Sequence, residues 1–75
     1  MKLFCELLRE TREKKKMLRV HVANEFGWTA MYYGRYEKGD LYPTSANIHL
    51  FAKFIGIDID TLKKIIEEEI KNNYN

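Results

Sequence analysis

Apolar side chains recur along this chain at steps of three and four, the spacing of one face of an α-helix. Leu3, Phe4, Leu7, Leu8 and Thr11 form the first stripe, with charged residues opposite. The run Lys14-Lys15-Lys16 closes that helix, where cations suit the negative end of the helix dipole. A second, shorter helix is predicted over about residues 19–26, with Val22, Ala23 and Phe26 inward and Gly27 as its stop. Thr29 reads as the N-cap of a third helix running to about Lys38 and halted at Gly39-Asp40. Leu41-Tyr42-Pro43-Thr44 reads as a loop. Thr44 or Ser45 is then the expected cap of a fourth helix, with Ile48, Phe51, Ala52 and Ile55 inward and Gly56 at its end. Asp58 or Asp60 opens a fifth helix, whose narrow stripe is Leu62, Ile65, Ile66 and Ile70. The tail over residues 72–75 is expected to fray. No hairpin signal or internal repeat interrupts the series. The expected fold is all-α, a compact bundle of five short helices forming one domain over residues 1–75.

Composition narrows the reading. A chain of 75 residues, 45% hydrophobic and with a single proline, is too apolar for disorder and too short for a second domain. No apolar run approaches the ~18–20 residues of a membrane span, and charged residues follow Met1 too closely for a secretory signal. The lone cysteine, Cys5, cannot form an intramolecular disulfide, which fits a cytoplasmic protein. Net charge is +2, unevenly spread. Residues 1–38 hold nine Lys/Arg against five Glu, net +4, while residues 39–75 hold four Lys against six Asp/Glu, net −2. Such asymmetry points to one face for an anionic partner.

The informative segment is residues 19–39. It sets a helix of about two turns, a tight turn at Gly27-Trp28, and a second helix opened by a hydroxyl cap. Ala23 supplies the small side chain that two steeply crossed helices require. Tyr33 and Tyr36, three apart, both point inward, which leaves Ala30, Met31, Gly34 and Arg35 outward. These are the parts of a helix-turn-helix over about residues 19–38, whose second helix enters the major groove of DNA.

In these features the sequence resembles the lambdoid phage repressor and Cro family, the XRE-type helix-turn-helix regulators. Arg12, Val22-Ala23, Gly27, Thr29 and Glu37-Lys38-Gly39 stand at the family's spacings. Phe51-Ala52-Lys53-Phe54-Ile55-Gly56-Ile57, followed by Asp60-Thr61-Leu62, is similar to its fourth helix and the entry to the fifth. The resemblance implies a buried ion pair between Arg12 and Glu37 that sets the tilt of the recognition helix. It also implies base contacts by Ala30, Met31 and Arg35, with Arg35 donating to guanine and the other two packing on thymine methyls. Arg19, Thr29, Tyr32 and Lys38 would then serve phosphates. Several features depart from the family pattern: Lys16 replaces the usual glycine after helix one, Leu18 replaces the usual polar cap of helix two, Gly34 lies inside the recognition helix, and the loop Asp40-Leu41-Tyr42-Pro43 lacks the basic residues many relatives carry there.

Other signals have plainer readings. Gly34-x-x-x-x-Gly39 is followed by Asp40-Leu41, not the Lys-Ser/Thr of a phosphate-binding loop. His21 and His49 are isolated and read as surface residues, so no metal or cofactor is expected. Cys5 reads as a core or near-core residue, Trp28 as an anchor for the turn, and Glu67-Glu68-Glu69 as a solvated face. Nothing suggests catalysis, and no enzyme is expected. Ile66 and Ile70, on a possible dimerisation helix over about residues 60–71, extend beyond what a small core needs and are expected in a twofold dimer contact. The resulting expectation is a homodimeric regulator, a repressor of a phage, mobile-element or toxin–antitoxin type operon, bound to a palindromic double-stranded DNA operator. The alternative is a protein-binding module of the same fold, acting as an antitoxin or as an inhibitor of a host defence enzyme.

Overall fold

The computed structural model describes residues 3–73 and contains helices only among them. The order is α1 (Phe4–Lys14), α2 (Arg19–Phe26), α3 (Ala30–Glu37), α4 (Ile48–Ile55) and α5 (Ile59–Asn73). The predicted bundle is therefore present, with each helix within a few residues of its expected bounds. No helix of the described residues is long and apolar enough to cross a membrane. Helix α2 packs chiefly on α3, α1 touches α3, α4 and α5, and α4 lies on α5.

The core draws on every helix. Phe4, Leu8, Val22, Ala23, Tyr33, Phe51 and Leu62 are fully buried. Phe26, half-buried, lies edge-on to four rings: Trp28, Tyr33, Phe51 and Phe54, at centroid distances of 5.3, 6.0, 5.2 and 5.8 Å. Edge-to-face pairs at these separations add roughly 0.5–1.5 kcal/mol each beyond burial. Aromatic rings thus replace much of the aliphatic filling a bundle of this size would otherwise use.

Four helices end alike. The last carbonyls of α1 to α4 are closed by a backbone bond spanning six residues: Met17 N–H to Arg12 O, Trp28 to Ala23, Asp40 to Arg35, and Ile57 to Ala52, at 2.8–3.1 Å. Each turn requires a residue in the left-handed conformation just past the helix. Gly27, Gly39 and Gly56 hold it after α2, α3 and α4, with φ of 77°, 85° and 89°. After α1 the residue is Lys16, at φ 57°. A side chain there costs about 1–2 kcal/mol that glycine would not incur.

Several expectations are corrected. Leu3 precedes α1 and is exposed, so the inward stripe begins at Phe4. Neither Thr44 nor Ser45 caps α4. Asn47 is its N-cap residue but turns its side chain away, accepting from Thr44 N–H at 2.8 Å and donating to the Tyr36 hydroxyl at 3.2 Å. Phe54 joins Phe51 in the core, while Ile55 is only half-buried. Ile66, expected in a dimer contact, is 6% exposed within its own subunit's core, and Ile70 packs against that core. Leu62 and Ile66 are used in intramolecular packing because α5 lies along both α1 and α4, and Ile65 and Ile70 stay half-buried. Asn72 and Asn73 remain helical, and the rest of the tail expected to fray lies outside the described residues.

Glu69 departs furthest from the sequence reading. Glu67 and Glu68 are exposed, but Glu69 is 5% exposed. Its Oε1 accepts the Phe4 N–H at 2.7 Å, and its other oxygen accepts the Tyr42 hydroxyl. Leu3 offers α1 no side-chain cap. A carboxylate from α5 therefore caps the first turn of α1, where the helix dipole favours negative charge. Replacing Glu69 with Ala removes the acceptor from the buried Phe4 N–H and from the Tyr42 hydroxyl. Urea unfolding should show a loss of about 1–3 kcal/mol at unchanged m-value; an unshifted midpoint would show that solvent substitutes for the cap.

Candidate nucleic-acid interface

The turn between α2 and α3 is built from local rules. Gly27 takes the left-handed conformation, and the Thr29 hydroxyl accepts the Tyr32 N–H at 3.1 Å. Trp28 stacks on Tyr36 at 5.3 Å with 14° between ring planes, and meets Tyr32 edge-on at 4.9 Å. The expected anchoring of the turn by Trp28 is what the packing displays. Helix α2 begins without a polar cap, as Leu18 implied. Compensation comes from His21, whose Nδ1 accepts the Leu18 N–H at 3.2 Å.

Helix α3 buries Tyr33, Tyr36 and Glu37 and presents Met31, Arg35 and Lys38. Steps of four and three place these exposed residues on one ridge. Met31 is 84% exposed. Ala30 is half-buried at the edge of the ridge, and Thr29 is exposed at its amino end. Gly34, expected outward, is buried. A methyl group at Gly34 would meet nothing within 4 Å, so packing does not require a glycine there.

The orientation of this ridge rests on Glu37. Its carboxylate takes Arg12 Nε at 2.7 Å on Oε2, and Arg12 Nη2 at 3.2 Å on Oε1. Arg19 Nε reaches Oε1 at 3.1 Å, and Arg12 Nη1 donates to the Met17 carbonyl at 3.0 Å. The Glu37 side chain has no exposed surface, against 13% for Arg12 and 45% for Arg19. The expected pair of Arg12 and Glu37 is present, and Arg19 makes it a triad. Placing Arg19 at a phosphate thus missed part of its role, since its Nε is committed inside the protein. Burial pushes the Glu37 carboxyl upward, but the hydrogen bonds from Arg12 and the adjacent positive charge outweigh it and hold the group below the ordinary carboxylate range. The same hydrogen bond raises Arg12.

Two tyrosines complete the surroundings. The Tyr33 hydroxyl is buried with no partner at hydrogen-bond geometry, and lies close enough to Glu37 to feel its charge. Desolvation first, and that carboxylate second, raise its pKa far above the ordinary phenol value. Tyr32 and Tyr36 share a hydrogen bond between hydroxyls at 2.9 Å. Burial, then the bond to Tyr32, push Tyr36 up to about 12. The Tyr32 hydroxyl, expected at a phosphate, is thus also engaged within the fold.

Glu37→Gln should destabilise by roughly 3–5 kcal/mol, because two guanidinium groups lose their counter-charge. Since the folded pKa is depressed, the carboxylate's contribution is present above the usual value of 4.5 and disappears as pH falls through the lower folded value. An acid-unfolding profile unchanged by the substitution would contradict this. At the alkaline end the sign reverses. Tyr33 and Tyr36 have raised folded pKa values, so their contribution is intact below about 10 and is lost as pH climbs beyond it. Phenolate absorbance from these two rings should emerge only together with loss of helix by circular dichroism.

Comparison with known proteins agrees with this geometry. A helix-turn-helix family model matches residues 8–65, from the middle of α1 into α5. No curated protein and no solved structure gave a significant match. With a Thr-capped helix held by a buried acidic residue, an exposed ridge upon it, and a family match over most of its length, the chain belongs to the Cro/repressor-type (XRE) helix-turn-helix family of DNA-binding transcription regulators.

Proposed function

We propose that this protein is a sequence-specific repressor that occupies a palindromic operator as a homodimer, of the kind found in phage, mobile-element or toxin–antitoxin operons. The observation that carries the reading is the exposed ridge Met31–Arg35–Lys38 on a helix whose attitude is fixed by the Glu37 triad. Arg35 is the bidentate donor to guanine O6 and N7, and Met31 with Ala30 packs against thymine methyls. Thr29 and Lys38 are exposed at the two ends of α3 and take flanking phosphates, with Arg19 and Tyr32 contributing the polar capacity their internal bonds leave over. Two copies would set their α3 helices ~34 Å apart, one turn of duplex. Ile66 is buried in its own subunit's core, so on α5 the half-buried Ile70 is the residue of that pair left to take part in a dimer contact. Repression follows from occupancy, the bound protein blocking polymerase or a competing factor.

One observation favours a second reading. Leu18 (62% exposed), Val20, Met31 and Tyr32 leave apolar surface at the amino ends of α2 and α3. Such surface suits a protein partner, as in an antitoxin or an inhibitor of a host defence enzyme. Selection of bound duplexes from a random pool separates the readings. The repressor reading expects a recovered site with twofold symmetry and an affinity that falls steeply with salt. Arg35→Ala should lose about 1–3 kcal/mol and relax one base position, whereas Lys38→Ala should weaken all sequences alike and reduce the salt slope by about 1. No duplex binding at low salt would sink the repressor reading and leave the protein-binding one.

A further inference from the structure

The left-handed positions of this fold are not filled alike. Gly27, Gly39 and Gly56 occupy three of them, and Lys16 occupies the fourth with φ 57°. The remaining glycine, Gly34, lies within a helix where no packing contact demands it. A lysine is thus kept where the backbone favours glycine. Strain of this kind, localised at one residue, motivates a search for what the side chain does.

Its surroundings narrow the answer. Arg12 Nη1 grips the Met17 carbonyl, and Arg12 and Arg19, before and after the turn, meet on Glu37. These bonds hold the turn from Lys15 to Leu18 close to the last turn of α3, where Glu37 sits. Lys15 directs its ammonium over the Phe54 ring, 4.7 Å from the centroid, and so toward α4. Lys16 is exposed. Glu37 is already enclosed by two guanidinium groups and has no exposed surface to offer another cation, and Lys16, whose backbone N–H bonds the Glu13 carbonyl at 2.9 Å, enters no side-chain ion pair among the described residues.

We infer that Lys16 is a phosphate-contacting residue, which grips the sugar-phosphate backbone at the head of α2 while α3 lies in the adjoining groove. The inference rests on the duplex-binding reading above and adds to it a residue at which stability is given up for charge. A lysine at a phosphate releases about one counterion on binding, and this defines the measurement.

Binding of the selected duplex is followed by fluorescence anisotropy across a salt series for wild type, Lys16→Gly, Lys16→Asn, Lys16→Arg and Lys14→Gln. Lys16→Gly should melt several degrees above wild type, yet its slope of log K against log salt should be smaller by about 0.9, with affinity about eightfold weaker at 0.1 M salt. Lys16→Asn, which tolerates the left-handed conformation, should show the same reduced slope, and Lys16→Arg should restore the wild-type slope. Lys14→Gln removes an equal charge two residues earlier and should leave the slope unchanged. If wild type binds duplex but the Lys16 variants keep its slope, or lose no more than Lys14→Gln, the inference is overturned while the repressor reading stands. A Lys16→Gly protein that melts no higher than wild type removes the strain from which the inference starts. If wild type binds no duplex, both readings fall together.

Discussion

A single carboxylate governs the geometry of this protein. Glu37 leaves water entirely, and it does so because two guanidinium groups from different helices meet it. A buried acid with one partner missing is strongly unfavourable, so the three residues are secured together or not at all. Arg12 belongs to α1, Arg19 opens α2, and Glu37 ends α3, so one group fixes three axes relative to one another. The bidentate contact from Arg12 adds direction to the attraction, because a planar fork meets a planar carboxylate in few orientations. The exposed ridge of α3 inherits its tilt from that arrangement.

The rest of α3 is held differently. There the carbons of Trp28, Tyr32 and Tyr36 interlock, and a chain of polar contacts runs from the Tyr32 hydroxyl through Tyr36 and Asn47 to the Thr44 backbone. The recognition helix is thereby coupled to the segment leading into α4 without any charged group. A loop without basic side chains of its own still bears on how α3 is presented. Electrostatics hold the helix at Glu37, and ring packing with neutral hydrogen bonds holds it along the face from Tyr32 to Tyr36.

The helical periodicity, the hydroxyl cap at Thr29 and the glycine stops made the architecture legible from the sequence, since each is a local rule acting over a few residues. The pairing of Arg12 with Glu37 was legible through the family resemblance. What was not legible depends on chain crossings. Arg19 was read as a surface cation because nothing local reveals that the head of α2 passes beside the end of α3. Glu69 was read as solvated because it ends an acidic run. Its spacing, three residues past Ile66 and seven past Leu62, in fact places it on the inner face, and residue type obscured that signal. Ile66 went the other way: the stripe was read correctly, but Ile66 itself lies in the subunit's own core, while Ile70 stays half-buried beside it. Asn47 shows a third kind of failure. A hydroxyl or amide near a helix start has several backbone groups within reach, and the tertiary neighbour Tyr36 decided among them.

The cap supplied by Glu69 has a mechanical consequence. Helix α1 is seized at its first residue by a side chain from α5, and near its last turn by the Glu37 carboxylate from α3. It therefore behaves as a beam clamped at both ends, spanning the molecule between the final helix and the one that faces outward. A disturbance at the docking of α5 would be felt first as a loosened beam, then as a drift in the angle of the recognition surface far from where it began.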